Sequence, residues 1–273
     1  MAYWLDVYRF PNSTEYEYKW AGKYGAKGEK RGKRAKATPE QIKRQNQQNR
    51  EKYVRRLIKA NFFPEDLWVT LKYPAGTRKP LREVKKDMKN FLDSLRGKYR
   101  RRGRELKFLL RMEIGRKGGV HVHLIVPRIR GEDTDLLVQG SWKHGRAHFE
   151  SVHEGGGYEK LAAYLVKQPD EEMREQLSLF PEEERKEMVK YSSSRNLERP
   201  RPERRRYRRR TLRKLLAEGP KASEGYWIDK NTVYAGTNRF TGYSYLRYTE
   251  CRAGTVRSRE EWERLRKGGT RDG

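Results

Sequence analysis

Residues 106–126 read LKFLLRMEIGRKGGVHVHLIV, and this stretch decides the fold. Apolar and polar side chains alternate on both sides of a glycine-rich centre, which is the pattern of strands whose side chains point to opposite faces in turn. The centre, residues 115–119, has the composition of a hairpin connection. The sequence therefore predicts an antiparallel hairpin with strands at 106–114 and 120–126.

One face of this hairpin collects three polar side chains. The opposite, core face takes Phe108, Leu110, Met112, Ile114, Val120, Val122, Leu124 and Val126. Alternation then leaves Glu113, His121 and His123 together. If the turn centres on Lys117, residues whose numbers sum to 234 pair directly, so Glu113 lies opposite His121. A slip of two residues would place it opposite His123 and keep the cluster.

Two imidazoles and one carboxylate form the ligand set of a metal site that keeps positions open for water and substrate. The alternative is that the two histidines are ordinary polar residues on the solvent face of an amphipathic strand. The neighbouring strand places its carboxylate, Glu113, beside them, and this favours metal binding.

A second candidate group lies on a helix predicted from about residue 157 to 168. Lys160, Tyr164 and Lys167 form a stripe at i, i+4 and i+7, separate from the apolar side, so two ammonium groups flank the phenol. Nearby cations favour the phenolate, which is the nucleophilic form of tyrosine. The spacing is equally compatible with a tyrosine that packs at the edge of the core with its hydroxyl in water.

The other periodic segments predict an α+β fold. A capping box at Thr38 to Gln41 begins a helix that ends near Ala60. Further elements are a strand at 67–73, a helix at 82–99, a strand at 146–152, strands within 226–248 joined by a turn at 238–242, and a helix at 258–267. We expect an antiparallel sheet of about five strands, with helices on one face and the polar cluster and Tyr164 on the other.

The composition indicates a protein that binds nucleic acid. The 273 residues include 65 Lys and Arg against 37 Asp and Glu, a net charge of +28, and such a charge binds a polyanion with release of its counterions. An anionic membrane is the competing polyanion, but no apolar run approaches the ~18 residues of a spanning helix, and Asp6 and Arg9 interrupt any signal peptide. We expect a cytoplasmic protein without a membrane partner. The lone Cys251 excludes an internal disulfide and a cysteine-based zinc site.

Charge is arranged in blocks along the chain. Residues 19–36 hold eight Lys or Arg and one acid, which predicts a flexible arm that binds phosphates. Residues 169–187 are acidic and predict an exposed insertion. Residues 199–214 hold ten Lys or Arg, and the predicted DNA contacts in this tract are Arg204, Arg205, Arg206, Arg208, Arg209 and Arg210.

These shifts in composition predict four segments. They are a basic arm and helix at 1–60, a core at 61–170, an acidic and then basic insertion at 171–215, and aromatic-rich strands with a short helix at 216–273. Exposed tyrosines of the last segment would stack on bases or complete the sheet, and burial is the favoured role for most of them.

The H-x-H strand, the upstream Glu113 and the later Tyr164-Leu165-Val166-Lys167 helix resemble the HUH endonucleases, specifically the single-tyrosine initiators of rolling-circle replication in plasmids and phages. The strand Trp68 to Leu71 is similar to the first motif of that family. In replication initiators the histidine pair precedes the tyrosine, as it does here. Residues 190–197 (KYSSSRNL) resemble the initiators of filamentous-phage type and their relatives in mobile elements. The resemblance covers roughly residues 65–170.

The resemblance implies a mechanism. Glu113, His121 and His123 would hold Mg²⁺ or Mn²⁺, which polarises the scissile phosphate. Tyr164 would attack the phosphorus, giving a 5′-phosphotyrosine and a free 3′-OH, with Lys167 stabilising the phosphate. Single-stranded and origin DNA are the implied substrates, a host helicase and polymerase the implied partners, and Lys160 and Arg111 further DNA contacts.

Several alternatives remain open from the sequence. Tyr158 lies six residues from Tyr164 and points elsewhere, so we predict a single-tyrosine enzyme with Tyr191 as the reserve nucleophile. His144, His148 and His153 are weaker candidate ligands. Rival functions are a transposase of the same superfamily, a non-catalytic nucleic-acid-binding protein, and a two-His-one-carboxylate iron oxygenase, for which a net charge of +28 is not needed.

Overall fold

The computed structural model describes residues 2–22, 30–115, 118–152, 158–188 and 190–268. The chain divides into two compact units. We call Gln47–Glu198 with Arg257–Gly273 the central unit, and Met1–Asn46 with Arg199–Val256 the terminal unit. Each unit is described separately.

Strands and helices alternate through the chain. The strands of the described residues are β1 Tyr3–Arg9, β2 Ser13–Trp20, β3 Leu67–Lys72, β4 Leu109–Ile114, β5 Val120–Val126, β6 Arg146–Ser151, β7 Tyr191–Ser193, β8 Glu203–Arg206, β9 Tyr226–Ile228, β10 Tyr234–Thr237 and β11 Ser244–Arg252. The helices are α1 Pro39–Asn61, α2 Leu81–Arg101, α3 Thr134–Gln139, α4 Glu159–Val166, α5 Glu171–Ser178, α6 Glu182–Met188, α7 Arg213–Glu218 and α8 Arg259–Gly268, with a 3-10 turn at Lys230–Thr232.

The central unit contains the predicted α+β fold. Its five strands form one antiparallel sheet in the order β6-β3-β5-β4-β7. The apolar stripe of α2 packs on one face of this sheet, because Val84, Phe91 and Leu95 recur at helical spacing and are fully or almost fully buried. The α+β class and the antiparallel five-stranded sheet are confirmed.

Helices cover part of the second face as well, which differs from the expected one-sided arrangement. Leu109 and Ile125 give one end of this face an apolar surface, and the C-terminal half of α1 packs there with Ala162 and Leu165 of α4. At the other end the same two strands carry Glu113 and His121, which cannot be covered by apolar side chains without loss of hydration. The second face is therefore half core and half polar site.

The acidic segment is not simply an exposed insertion. It forms α5 and α6, and Met173, Leu177 and Met188 are buried in the core beneath α2, while most of its carboxylates remain exposed. Asp170 caps α5 by accepting a hydrogen bond from the Met173 amide. The apolar residues that hold this segment are spaced at helical intervals within a strongly acidic composition, which masks them.

The terminal unit is built from both ends of the chain. Its sheet has the order β10-β11-β2-β1-β8, with β9 paired to β11. The predicted sequence segments placed residues 1–60 and 216–273 apart, but β2 pairs directly with β11 and β1 with β8. The basic tract contributes the edge strand β8, and residues 23–29 of the predicted arm lie outside the described residues.

Aromatic side chains form the core of the terminal unit. Tyr16 stacks on Tyr248 with ring centroids 4.8 Å apart, and Trp20 stacks on Tyr243 at 4.6 Å. The described turn at 238–242 joins β10 to β11 as predicted, and Gly242 has a φ of +73° that favours glycine. Burial of most tyrosines in this segment is confirmed for Tyr243 and Tyr248.

Two local predictions concern helices. The capping box is present, since the Thr38 amide donates to Gln41 Oε1 and the Gln41 amide donates to Thr38 Oγ1. Within the part of the chain that the structure describes, none of the helices has the length and apolar character needed to cross a bilayer.

Candidate active site

The register of the β4–β5 hairpin places the polar cluster as the sequence predicts. Glu113 lies directly opposite His121, and Arg111 lies opposite His123. The turn residues 116 and 117 lie outside the described residues, but the pairing on both sides of them follows the predicted sum of 234. Glu113, His121 and His123 therefore share one face of the sheet.

His123 is fixed by residues of the neighbouring strand β3. Thr70 lies opposite it, and Thr70 Oγ1 is 3.0 Å from its Nδ1. The indole of Trp68 stacks on the imidazole with 13° between the ring planes. With Nδ1 held by the hydroxyl, Nε2 faces the cluster and lies 3.4 Å from Glu113 Oε2.

Tyr164 reaches this cluster from α4. Its hydroxyl donates a hydrogen bond to Glu113 Oε2 and lies 2.8 Å from His123 Nε2. The Trp68 ring meets the phenol edge to face at 5.8 Å. Ala162 and Leu165 anchor α4 on the apolar end of the same face, so the packing of the helix carries the phenol to the polar end.

Lys167 lies just beyond the last turn of α4. Its ammonium forms an ion pair with Glu113 Oε1 and lies 4.9 Å from the centre of the Tyr164 ring. Lys160, the other cation of the predicted stripe, is exposed on the helix. The structure therefore brings Lys167, but not Lys160, into the site.

The charges of the site oppose a resting phenolate. Burial raises the pKa of Tyr164 well above its ordinary value, and the Glu113 carboxylate raises this pKa further. Burial alone would raise the pKa of Glu113, but hydrogen bonds from His123, Lys167 and Tyr164 hold it far below its usual range. The prediction that flanking lysines favour the phenolate is wrong for this arrangement, because Lys167 neutralises Glu113 instead.

His121 completes the polar cluster. Burial lowers its pKa, and the neighbouring Lys72 ammonium lowers it further, so at neutral pH the ring is the uncharged form that binds metals. A Cβ on Gly115 would lie 3.2 Å from His121 Cε1, so the strand end leaves little room beside the ring.

The donor set suits a divalent metal in type, although it is not drawn together as one. The His121 and His123 ring centroids are 6.5 Å apart, and the Tyr164 hydroxyl lies between Glu113 and His123 in contact with both. Among the described residues no group of three His, Cys, Asp or Glu side chains is arranged to hold a metal ion. The chemistry of two neutral imidazoles and a carboxylate still fits Mg²⁺ or Mn²⁺ with water completing the shell.

This cluster lies in the segment of the chain that resembles known proteins. Residues 66–169 match the model of a family of replication-associated proteins of the ORF2 type. Neither the curated proteins nor the solved structures contain a significant match to the chain. The matched segment covers less than half of the chain, runs from the start of β3 to just beyond α4, and contains every residue of the cluster.

Arg111, also in the matched segment, is not a DNA contact on the surface. Its side chain is 0% exposed, and Nη1 donates to the carbonyl oxygens of Tyr164 and Leu165 at 3.1 and 3.0 Å. Nε and Nη2 have no hydrogen-bond partner among the described residues. The prediction for Arg111 is corrected: this buried cation binds the last turn of α4, where the backbone dipole is negative. Its parity with Glu113 on β4 was the available signal.

The remaining predicted DNA contacts lie in the terminal unit. All are exposed: Arg204, Arg205, Arg206, Arg208, Arg209 and Arg210. Arg204 differs from the others because it forms two hydrogen bonds, of 2.7 and 3.0 Å, to the buried Asp6 carboxylate.

The weaker candidates take other roles. His144 Nε2 lies 3.3 Å from Asp87, and His148 Nε2 lies 3.2 Å from Glu150, so neither joins the cluster. His153 lies outside the described residues. Tyr191 lies opposite Arg111 on β7, half-buried against the apolar end of the site face. Tyr158 begins α4 with a left-handed φ of 68° and packs on the same core.

Proposed function

We propose that the central unit nicks and rejoins single-stranded DNA to start replication, with Tyr164 as the nucleophile. The observation that carries this proposal is the contact of one tyrosine hydroxyl with both Glu113 and His123. This contact lies within the segment that matches a replication-associated family. The tyrosine, histidine and carboxylate come from three separate elements, and this convergence supports a reactive site over scattered polar residues.

The reaction exchanges one phosphoester for another. The Tyr164 oxygen forms a bond to phosphorus while the bond from phosphorus to the 3′ oxygen breaks. The phenol proton passes to Glu113 or to His123 Nε2, which both lie within hydrogen-bond reach, and the released 3′ oxygen takes up a proton. The products are a 5′-phosphotyrosine and a 3′-OH that a polymerase can extend, and the reverse reaction rejoins the strand.

Each site residue has a defined task in this proposal. Thr70 and Trp68 orient the His123 ring, and Lys167 stabilises negative charge on the attacked phosphate. Glu113, His121 and His123 would hold Mg²⁺ or Mn²⁺, which supplies charge neutralisation for the phosphate and the leaving oxygen.

Covalent capture tests the proposal. The full-length protein is incubated with Mn²⁺ and single strands that cover the DNA flanking its own coding sequence, beside a random-sequence pool, and then run on a denaturing gel. We expect a DNA adduct that disappears in Tyr164→Phe and in His121→Ala/His123→Ala, and persists in the matched control Tyr191→Phe.

The outcomes separate the alternatives. An adduct in Tyr164→Phe assigns the nucleophile elsewhere, and undiminished cleavage in the double histidine variant removes the metal site. Binding without any adduct from either DNA source indicates a non-catalytic nucleic-acid-binding protein. Cleavage confined to transposon-end hairpins in place of a replication origin assigns the same chemistry to a transposase.

A further inference from the structure

The terminal unit has one sheet face that its own helix does not cover. Leu212, Leu215 and Leu216 at α7 pack on the face formed by Tyr3, Leu5 and other core residues. On the opposite face, pairing across the sheet sets two rows of side chains side by side. One row is Arg206, Trp4 and Lys19, and the other is Arg204, Asp6, Glu17, Arg247 and Tyr234.

Aromatic rings on this face are paired with arginines. The guanidinium carbons of Arg204 and Arg206 lie 5.9 and 5.8 Å from the centre of the Trp4 ring. Arg247 lies 4.1 Å from the ring centre of Tyr234, which is 48% exposed. Such pairs present a flat stacking surface together with N–H groups that can bind phosphate. We call Trp4, Lys19, Arg206, Tyr234, Tyr245 and Arg247 the aromatic–basic face.

The acids of this face are placed beneath its cations. Asp6 is 0% exposed and binds Arg204 and Lys19, and the Glu17 side chain is 13% exposed. The Arg204 and Lys19 side chains themselves are 50% and 45% exposed. The negative charges thus orient the cations, while the outward surface is positive. The whole unit has 26 Lys or Arg against 10 Asp or Glu.

We infer that the aromatic–basic face binds single-stranded nucleic acid, with bases stacked on Trp4, Tyr234 and Tyr245 and phosphates held by Lys19, Arg206 and Arg247. A single strand fits because its bases expose their ring faces, whereas the bases of a duplex are stacked on one another. This site lies outside the segment that matches the replication-associated family. It is independent of the nicking proposal because it uses no residue of the Tyr164 cluster.

Binding is measured with two matched pairs of variants. The full-length protein carrying Tyr164→Phe is titrated, with EDTA present, into a fluorescent oligo(dT) of about 20 nucleotides, longer than the ~4–16 nucleotides of known single-strand sites. Tyr234→Leu removes an exposed ring from the face. Phe240→Leu removes a similarly exposed ring from the 238–242 turn, since Phe240 is 40% exposed.

The second pair tests charge. Arg206 lies opposite Trp4, whereas its neighbour Arg205 lies opposite Leu5 and points to the other side of the same strand. Both are exposed, and Arg205 pairs with Glu203 at 2.7 Å. Arg206→Gln and Arg205→Gln therefore remove the same charge from the two sides of β8.

We expect Tyr234→Leu to weaken binding roughly five- to hundredfold and Phe240→Leu to change it less than about twofold. Arg206→Gln should weaken binding more than Arg205→Gln and lower the slope of log affinity against log salt by about 0.7. An oligo(U) RNA of the same length is compared with oligo(dT) to decide which single strand is preferred.

Three results would overturn the inference. Equal losses in the two arginine variants would mean that only the overall charge binds the strand. Unchanged affinity in Tyr234→Leu would exclude stacking. Displacement of oligo(dT) by polyglutamate at equal charge would indicate an acidic protein as the partner. Adduct formation by the wild-type Tyr164 enzyme is scored separately, so the two proposals stand or fall independently.

Discussion

Tyr164 is the residue on which the site depends, and its hydroxyl is bonded to the groups expected to bind metal. Burial and Glu113 both raise its pKa, so the phenol is protonated at neutral pH. Replacing Glu113 with Gln removes the negative charge, and we expect the pKa of Tyr164 to fall toward its ordinary value. Fluorotyrosine at position 164, titrated by fluorine NMR, measures this shift. An unchanged titration in Glu113→Gln would mean that burial alone sets the pKa.

Arg111 offers a second test at the scale of single residues. Arg111→Met removes the donors to the carbonyls of Tyr164 and Leu165, so the phenol loses its fixed position. A displacement of about 1 Å can cost roughly 100-fold in rate. We expect adduct formation to slow by at least about tenfold while oligonucleotide affinity stays within about twofold, with partial recovery in Arg111→Lys. A parallel loss of affinity would show that the effect is not positional.

Thr70 determines how His123 presents Nε2. Thr70→Val keeps the shape of the side chain and removes the hydroxyl that contacts Nδ1. Loss of such a supporting contact typically lowers metal affinity about 10–100-fold. Mn²⁺ titration followed by EPR measures the change, and Thr237→Val, exposed on β10, is the control. Equal Mn²⁺ affinity in both variants would contradict the proposed ligand role of His123.

Among the elements, the β4–β5 hairpin is where sequence patterns predict most. Alternation indicated the faces and the turn composition indicated the register, because both depend on neighbours within about 20 residues of one another. The position of Lys167 was not predictable from helix spacing. α4 ends at Val166, so Lys167 leaves the helical stripe and reaches Glu113.

Strands β1 and β2 were not predicted, for a different reason. Their residues alternate, with Tyr3, Leu5 and Val7 on one side, but most of their other partners are about 200 residues away in β8 and β11. Local periodicity does not identify a distant partner strand. Arg111 was likewise missed because a buried arginine is rare and its carbonyl partners lie on another element.

The start of β3 carries a pH-sensitive group. Burial raises the pKa of Asp66 from 3.8 to about 7, although it accepts hydrogen bonds from the Phe63 and Arg128 amides. The folded state then binds the proton more tightly than the unfolded state, so Asp66 destabilises the fold increasingly as pH rises from about 4 to 7.

We expect Asp66→Asn to flatten the fall in stability over this range, measured as the denaturant midpoint of the central unit at several pH values. Asp170→Asn, at the exposed cap of α5, serves as the control. A wild-type stability that rises between pH 5 and 7 relative to Asp66→Asn would show that the amide bonds outweigh burial.

For the whole molecule, the net charge of +28 has a measurable consequence. If about six to ten phosphates are neutralised, the slope of log affinity against log salt for a single strand is roughly −4 to −7. Anisotropy titrations across a salt series measure it. A slope near −1 would mean that most of the charge faces away from the bound strand.

The pairing of the two chain ends also sets an order of events during synthesis. β1 and β2 leave the ribosome early, but β11 cannot pair with β2 until residue 244 and beyond are made. At about 5–20 residues per second this interval lasts roughly 10–45 s. During that time two aromatic strands have open edges that pair readily with other chains. The nascent protein therefore has a period in which chaperone capture competes with aggregation, and it ends only when the last strand emerges.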